Sequence, residues 1–265
     1  MSKIVVENPF VTTAPSLQNA LDVFAGEWAS RFPASEPGLQ AGTVPLFEDP
    51  RLAWADVALR ELSGTSFAGQ TVLELGPLEG GHTYGMSKLG AHEILAVEAN
   101  ARAYLKCLVA KEVVGIPHAK FMLGDALAFM RETERNFDVG VACAFLNHML
   151  DPVEVISLLA RRCRKVFVWN VVYDESLFVK QPEMASRFGP PQEKEVGGFR
   201  HTLFPHSYGE GFDYRKFLGG MQPSCCWLRP ADVVAALRHF GFTAVTSHVE
   251  ENPFGKAVSA VAIRA

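Results

Sequence analysis

Val72-Leu-Glu-Leu-Gly-Pro-Leu-Glu-Gly-Gly-His82 is the stretch on which the reading of this 265-residue chain turns. An apolar run ends in Glu74-x-Gly76, a tight loop follows, and the pair Gly80-Gly81 opens a helical pattern. Glycines there let the backbone turn sharply and come close to a ligand, and the helix start offers unpaired N–H groups. Outward from this point, short apolar runs at 71–75, 93–97, 120–123, 137–143 and 165–172 alternate with helical stretches at 81–89, 101–114, 127–131 and 152–162. That alternation predicts an α/β fold, a doubly wound, Rossmann-like and mostly parallel sheet. Val166-Phe-Val-Trp-Asn-Val-Val172 is almost wholly apolar, as a central strand covered on both faces should be.

Residues 1–67 read as an N-terminal helical extension. Ser16 caps a helix expected over 17–31, with Leu17, Leu21, Phe24 and Trp28 on one face. A loop rich in Pro, Gly and Ser follows over 32–44, and Asp49-Pro50 starts a second helix running to Leu62. Within the 68–265 core, the segment 174–227 is dense in Phe, Gly, Pro and His and reads as an irregular cap insert. A helix at 231–240, ended by Gly241, and strands at 242–249 and 256–263 then close the chain. Asn252-Pro-Phe-Gly255 between these strands makes them a C-terminal antiparallel hairpin at the sheet's end.

Composition narrows the partners. The net charge is -4, from 25 Lys+Arg against 29 Asp+Glu, so nothing global draws the chain to nucleic acid or an anionic membrane. A nucleic-acid partner is disfavoured without being excluded, because a local basic groove can hide in a mildly acidic protein. The five cysteines, Cys107, Cys143, Cys163, Cys225 and Cys226, are odd in number and form no C-x-x-C pair. They read as buried thiols in a reducing cytoplasm. The N-terminus has an acidic residue and a proline where a signal peptide needs an apolar run, and no run is long enough to span a membrane. No metal site is expected: there is no H-x-x-x-H, and the fourth strand ends in Ala142-Cys143 rather than in an acid.

A dinucleotide loop would want G-x-G-x-x-G, but Leu78 stands where its second glycine would clear room for a pyrophosphate. Glu74 and Glu79 place two carboxylates beside the loop, which a ligand with an amino group and a sulfonium tolerates better than a diphosphate does. Glu98 ends the second strand about twenty residues after Gly76, the position that binds ribose in doubly wound folds. Asp125, in Gly124-Asp-Ala126, follows the third strand and can accept from an adenine amino group. The fourth strand delivers Phe145-Leu-Asn-His148 to the sheet edge. Each acid alone is more often a helix cap; three at successive strand ends behind a glycine loop point to a nucleoside.

In this order, Glu74-Leu-Gly-Pro-Leu-Glu-Gly-Gly, Glu98, Gly124-Asp125-Ala and Phe137-Asp-Val…Phe-Leu-Asn-His resemble the motifs of class I S-adenosylmethionine-dependent methyltransferases. The resemblance covers about residues 68–175, and Trp227-Leu…Leu237-Arg-His-Phe-Gly-Phe242 is similar to that family's last helix and strand. It implies S-adenosyl-L-methionine as cofactor and S-adenosyl-L-homocysteine as product. Glu74, Gly76, Pro77 and Gly80 would cradle the methionine end, Glu98 and Ala99 the ribose, Asp125 and Ala126 the adenine, and Phe145 would lie near cofactor and substrate. Leu78 departs from the family's usual glycine.

His148 is the candidate general base, and Asn147 beside it is a candidate substrate contact. Arg200, His201, His206 and Tyr208 could line an acceptor pocket; equally, the insert could be a structural cap whose Phe199, Phe204, Phe212 and Phe217 cover the sheet edge. His82 could touch the methionine end or simply be solvated. The Arg161-Arg-Cys-Arg-Lys165 cluster could bind phosphate or merely suit a helix C-terminus. The expected function is methyl transfer to a small-molecule or glycan-type acceptor, preferably at oxygen. Modification of the tRNA wobble uridine, a nicotinamide-dependent oxidoreductase and a non-catalytic binding module stand as alternatives. The apolar N-terminal helices could cover the core or form a homodimer.

Overall fold

The computed structural model describes residues 10–213 and 219–264, so Phe217 lies outside the described residues. The chain enters through α1 (Leu17–Asp22), capped by Ser16, whose hydroxyl accepts from the Asn19 N–H. The expected helix over 17–31 stops at Asp22, and Gly26 turns the backbone into the left-handed region at φ 77°. Leu21, Phe24 and Trp28 are buried all the same, and the Trp28 indole donates to the Leu21 carbonyl at 2.9 Å. Their apolar spacing therefore reported burial, not an unbroken helix. α2 (Pro50–Ser63) begins as expected, with Asp49 as its cap and Gly64 ending it at φ 70°.

From there β1 (Thr71–Leu75), α3 (Gly81–Lys88), β2 (Glu93–Glu98), α4 (Ala101–Val114), β3 (Ala119–Leu123), α5 (Ala126–Glu132), β4 (Phe137–Cys143), α6 (Pro152–Arg162) and β5 (Cys163–Val171) alternate. The insert carries α7 (Ser176–Lys180), α8 (Pro182–Ala185) and a sheet of β6 (Gln192–Val196), β7 (Phe199–Ser207) and β8 (Ser224–Trp227). It is not irregular, as the sequence led us to expect. β6 reads Gln-Glu-Lys-Glu-Val and is an exposed edge strand, so it has no apolar alternation to detect. Gly197 and Gly198 make its hairpin turn with φ 55° and 83°, the two positive angles of a type I′ turn. The Gly-Gly pair was the one legible signal.

α9 (Pro230–His239), β9 (Ala244–Asn252) and β10 (Gly255–Ile263) finish the chain. The hairpin turn is only Pro253-Phe254, since Asn252 pairs with Gly255. The large sheet runs β3-β2-β1-β4-β5-β10-β9, with β10 antiparallel to both of its neighbours. Along each parallel strand the side chains alternate between two cores. Val72, Ile94, Val139 and Phe167 pack under α2, α3 and α4, and Leu73, Leu95, Val166 and Val168 under α5, α6 and α9. The strand order reverses between β1 and β4, and at that switch a crevice opens beyond the carboxyl ends of the strands. Among the described residues no helix is long and apolar enough to cross a membrane.

Candidate active site

The glycine loop is shaped by three left-handed residues: Gly76 at φ 66°, Leu78 at φ 57° and Gly80 at φ 81°. Leu78, where glycine was the expectation of the family pattern, holds this strained conformation with its N–H donating to Glu98 Oε2 at 3.0 Å. Glu98 Oε1 accepts from the Asn100 N–H at 2.8 Å. The carboxylate is thereby fixed at the end of β2 by two backbone donors. At Gly76 a Cβ would stand 2.9 Å from the Phe145 ring, so a side chain there would close the gap between the two.

A cavity of about 460 Å³ fills the crevice, within the ordinary range for small-molecule sites. Of the residues expected to hold a cofactor, Gly76, Pro77, Glu98, Ala99, Asp125, Ala126 and Phe145 line it. Asp125 also caps α5, accepting from the Leu127 N–H at 2.8 Å. Gly80 and Glu74 stand behind the wall. Glu74 is fully buried and bonded to the Thr83 hydroxyl; burial pushes its carboxyl up to about 7 against the pull of His82 and Thr83. Burial likewise raises Glu98, opposed by its backbone donors.

Glu79 does not flank the cavity, contrary to the sequence reading. It is wholly buried and accepts from the N–H groups of Ala29 and Ser30 at 3.0 and 2.7 Å and from the Lys106 ammonium. Its charge is consumed in fastening the N-terminal segment to the loop.

The other half of the cavity is built from distant parts of the chain. Val44, Leu46 and Arg51 come from the N-terminal segment, Cys143, His148 and Met149 from the end of β4 and the turn after it, Trp169 from β5, and Phe254 from the last hairpin. Arg51 lies over the Trp169 ring, 3.9 Å from its centroid, and is paired with Asp49. Asp49 Oδ2 also meets His82 Nε2 at 2.8 Å. Burial would raise the Asp49 carboxyl, but hydrogen bonds from His82 and Arg51 hold it well below the usual range. Sequence reasoning took Asp49 only as a helix cap and missed Arg51 and Trp169, because no motif links them.

His148 reaches this half, but both its ring nitrogens are engaged: Nδ1 with the Tyr208 hydroxyl at 2.7 Å and Nε2 with the Asn147 amide at 3.2 Å. Burial, with His206 nearby, lowers it to about 4. The base role expected of it therefore has no free nitrogen to work with. Asn147 is buried and donates its N–H to Asn170 Oδ1 at 2.9 Å. Tyr208 stands behind His148 and also accepts from the Gly220 N–H at 3.2 Å.

The remaining insert residues fall elsewhere. Arg200 pairs with Glu195 on the outer face of the small sheet, its side chain 86% exposed. His201 is buried against Phe199, and His206 is stacked on Trp227, with burial lowering it to about 4. None of these three lines the cavity. The sequence placed them together because they share a His-rich stretch, but alternation along β7 sends neighbours to opposite faces. Phe204 stacks on Tyr173, so part of the insert does cap the sheet edge.

No protein-family model matches the chain, and no curated protein matches it by sequence. Among solved structures it is similar to the N-terminal domain of EvdMO1, determined in the presence of SAH and D-fucose, at a TM-score of 0.67. Identity is 18% over 94% of this chain and 95% of that one, and the chain spans 47% of the whole of EvdMO1. The fold is that of class I methyltransferases. The magnesium protoporphyrin IX methyltransferase ChlM of Synechocystis PCC 6803, with SAH bound, shares it at a TM-score of 0.54 and 16% identity over 81% of this chain and 80% of that one. An S-adenosylmethionine-dependent methyltransferase of Clostridium acetobutylicum ATCC 824 shares it at 0.50 and 10%, over 81% and 91%.

Proposed function

We propose that the protein is an S-adenosylmethionine-dependent methyltransferase acting on a small-molecule acceptor at oxygen. The observation that carries this reading is Glu98, a carboxylate buried at the end of β2 and aimed by two backbone N–H groups into the cavity at the switch point. Each oxygen keeps a lone pair for a vicinal diol, which is what a ribose offers. The left-handed loop at Gly76 leaves a gap against Phe145 that a Cβ would fill, so the residues present fit an adenosyl ligand. Leu78 fills the place a pyrophosphate would need, which argues against a nicotinamide cofactor.

When bound, the sulfonium supplies a methyl group already activated for transfer. The chain's own residues then have three tasks. Glu98 orients the sugar, Asp125 and Ala126 border the base, and the apolar wall of Leu46, Met149, Trp169 and Phe254 excludes water around the acceptor. Support for a sugar-like acceptor comes from the D-fucose present with the EvdMO1 domain and from the mixed apolar and polar lining here.

Calorimetric titration with S-adenosylhomocysteine tests the reading. Saturable binding is expected, weakened about a hundredfold or more in Glu98→Ala, since charge-assisted hydrogen bonds contribute about 1.5–3 kcal/mol each. Binding of NADH with no response to S-adenosylhomocysteine would overturn it.

A further inference from the structure

We propose that His82, oriented by Asp49, is the group that takes the proton from a hydroxyl acceptor. This deepens the methyltransferase reading and rests on it. His82 occupies the first turn of α3, directly after the glycine loop, and lines the cavity with its side chain 12% exposed. Nε2 faces Asp49 Oδ2 at 2.8 Å. A carboxylate only accepts, so Nε2 carries the hydrogen and the lone pair stays on Nδ1, which has no hydrogen-bond partner among the described residues.

Asp49 is itself immobilised. It accepts from the Arg51 backbone N–H at 3.0 Å and from the guanidinium, and that guanidinium is stacked on Trp169. Trp169 in turn donates its indole N–H to Glu250 at 2.5 Å. A buried carboxylate behind an imidazole fixes the ring and stabilises the imidazolium that forms on proton transfer, which makes Asp49 a positioning residue. His148 has the opposite arrangement, with both nitrogens held and a lowered proton affinity.

In the step, the acceptor O–H gives its proton to His82 Nδ1 while the oxygen lone pair forms the bond to the methyl carbon. The carbon–sulfur pair returns to sulfur, giving a neutral thioether, and the imidazolium later releases its proton to water. A hydroxyl acceptor needs this help, because at neutral pH its oxygen keeps its proton and is a weak nucleophile. The charged and titratable groups around His82 are Asp49 and Arg51 at the start of α2 and Glu74 on β1.

Long-range ¹H–¹⁵N spectra of the full chain saturated with S-adenosylhomocysteine provide a readout independent of turnover. At pH 7 the His82 ring should show hydrogen on Nε2 and a bare Nδ1, and Asp49→Ala should release the ring to a mixture of both tautomers. Hydrogen on Nδ1, or a tautomer unmoved by Asp49→Ala, overturns the proposal. With D-fucose as the probe acceptor, His82→Asn should cut kcat about 10²- to 10⁴-fold with KM little changed. A larger loss in His148→Asn than in His82→Asn would also overturn it. Retention of S-adenosylhomocysteine binding in these variants isolates this inference: failure of the wild type to bind it sinks the cofactor reading instead.

Discussion

The two halves of the cavity are built differently. The half assigned to the cofactor comes from four consecutive strand ends, and its key contacts, Leu78 and Asn100 to Glu98 and Leu127 to Asp125, join residues at neighbouring strand ends or within one turn. The half assigned to the acceptor joins Leu46 and Arg51 to Trp169 and Phe254, residues scattered over more than two hundred positions. Parallel-sheet topology alone brings the first set together. The second exists only because the N-terminal segment is folded down onto the loop.

That fastening is the place to break the comparison most severely. Glu79 is wholly buried and bound by two backbone N–H groups and Lys106. Glu79→Ala leaves a buried ammonium unpaired and should cost about 3–5 kcal/mol in chemical denaturation. The acceptor half should suffer more than the cofactor half, with proteolysis opening the chain before residue 45 while the strands resist. The double variant Glu79→Gln/Lys106→Met should recover much of the loss, because it removes the orphaned charge.

The same contrast explains what was legible in the sequence. Apolar runs located all five parallel strands, and the acids at the end of β2 and just after β3, Glu98 and Asp125, were legible as crevice residues, because each of these signals is local. Glu79 looked like Glu98 in the sequence; only the fold shows that one faces Lys106 and the other the cavity. Arg51, Trp169 and the Asp49–His82 pair were invisible because their partners lie far away in the chain. The small sheet of the insert was missed because its edge strand is charged and its middle strand carries Pro205.

Beneath the cofactor half, Glu74 sharpens the comparison through pH. Its folded value, about 7, lies above its ordinary 4.5. Below 4.5 the carboxyl is neutral whether folded or not and contributes nothing to the pH dependence. Between 4.5 and 7 the unfolded chain ionises and the folded one resists, so stability falls as pH rises, by about 3 kcal/mol in total, and then levels off. Glu74→Gln should remove this slope when denaturation is followed across pH. If the cationic end of the ligand lies near Glu74, S-adenosylhomocysteine should flatten the slope in the wild type as well.

Gly76→Ala tests the narrowest point between the halves. An alanine at φ 66° costs about 1–2 kcal/mol in backbone conformation, and its methyl would press on Phe145. S-adenosylhomocysteine affinity should fall about ten- to a hundredfold by calorimetry. Adding Phe145→Ala should restore part of it, since only the side-chain contact is relieved and the backbone strain stays.

The smallest effect is expected at Arg200, and it decides how far the acceptor half extends. The sequence made Arg200 a candidate for meeting an acidic group on the acceptor. In the fold its guanidinium points outward from β7 and pairs with Glu195 across an exposed edge, an arrangement that contributes little to stability. Arg200→Ala should leave the denaturation midpoint nearly unchanged, and S-adenosylhomocysteine affinity and acceptor KM within about twofold of wild type. Tyr208→Phe, at the inner end of the same strand's path, should instead alter KM or kcat through His148, to which its hydroxyl is bonded. A clear rise in KM for Arg200→Ala would mean that the small sheet swings over the cavity during turnover and that the acceptor wall includes its outer face.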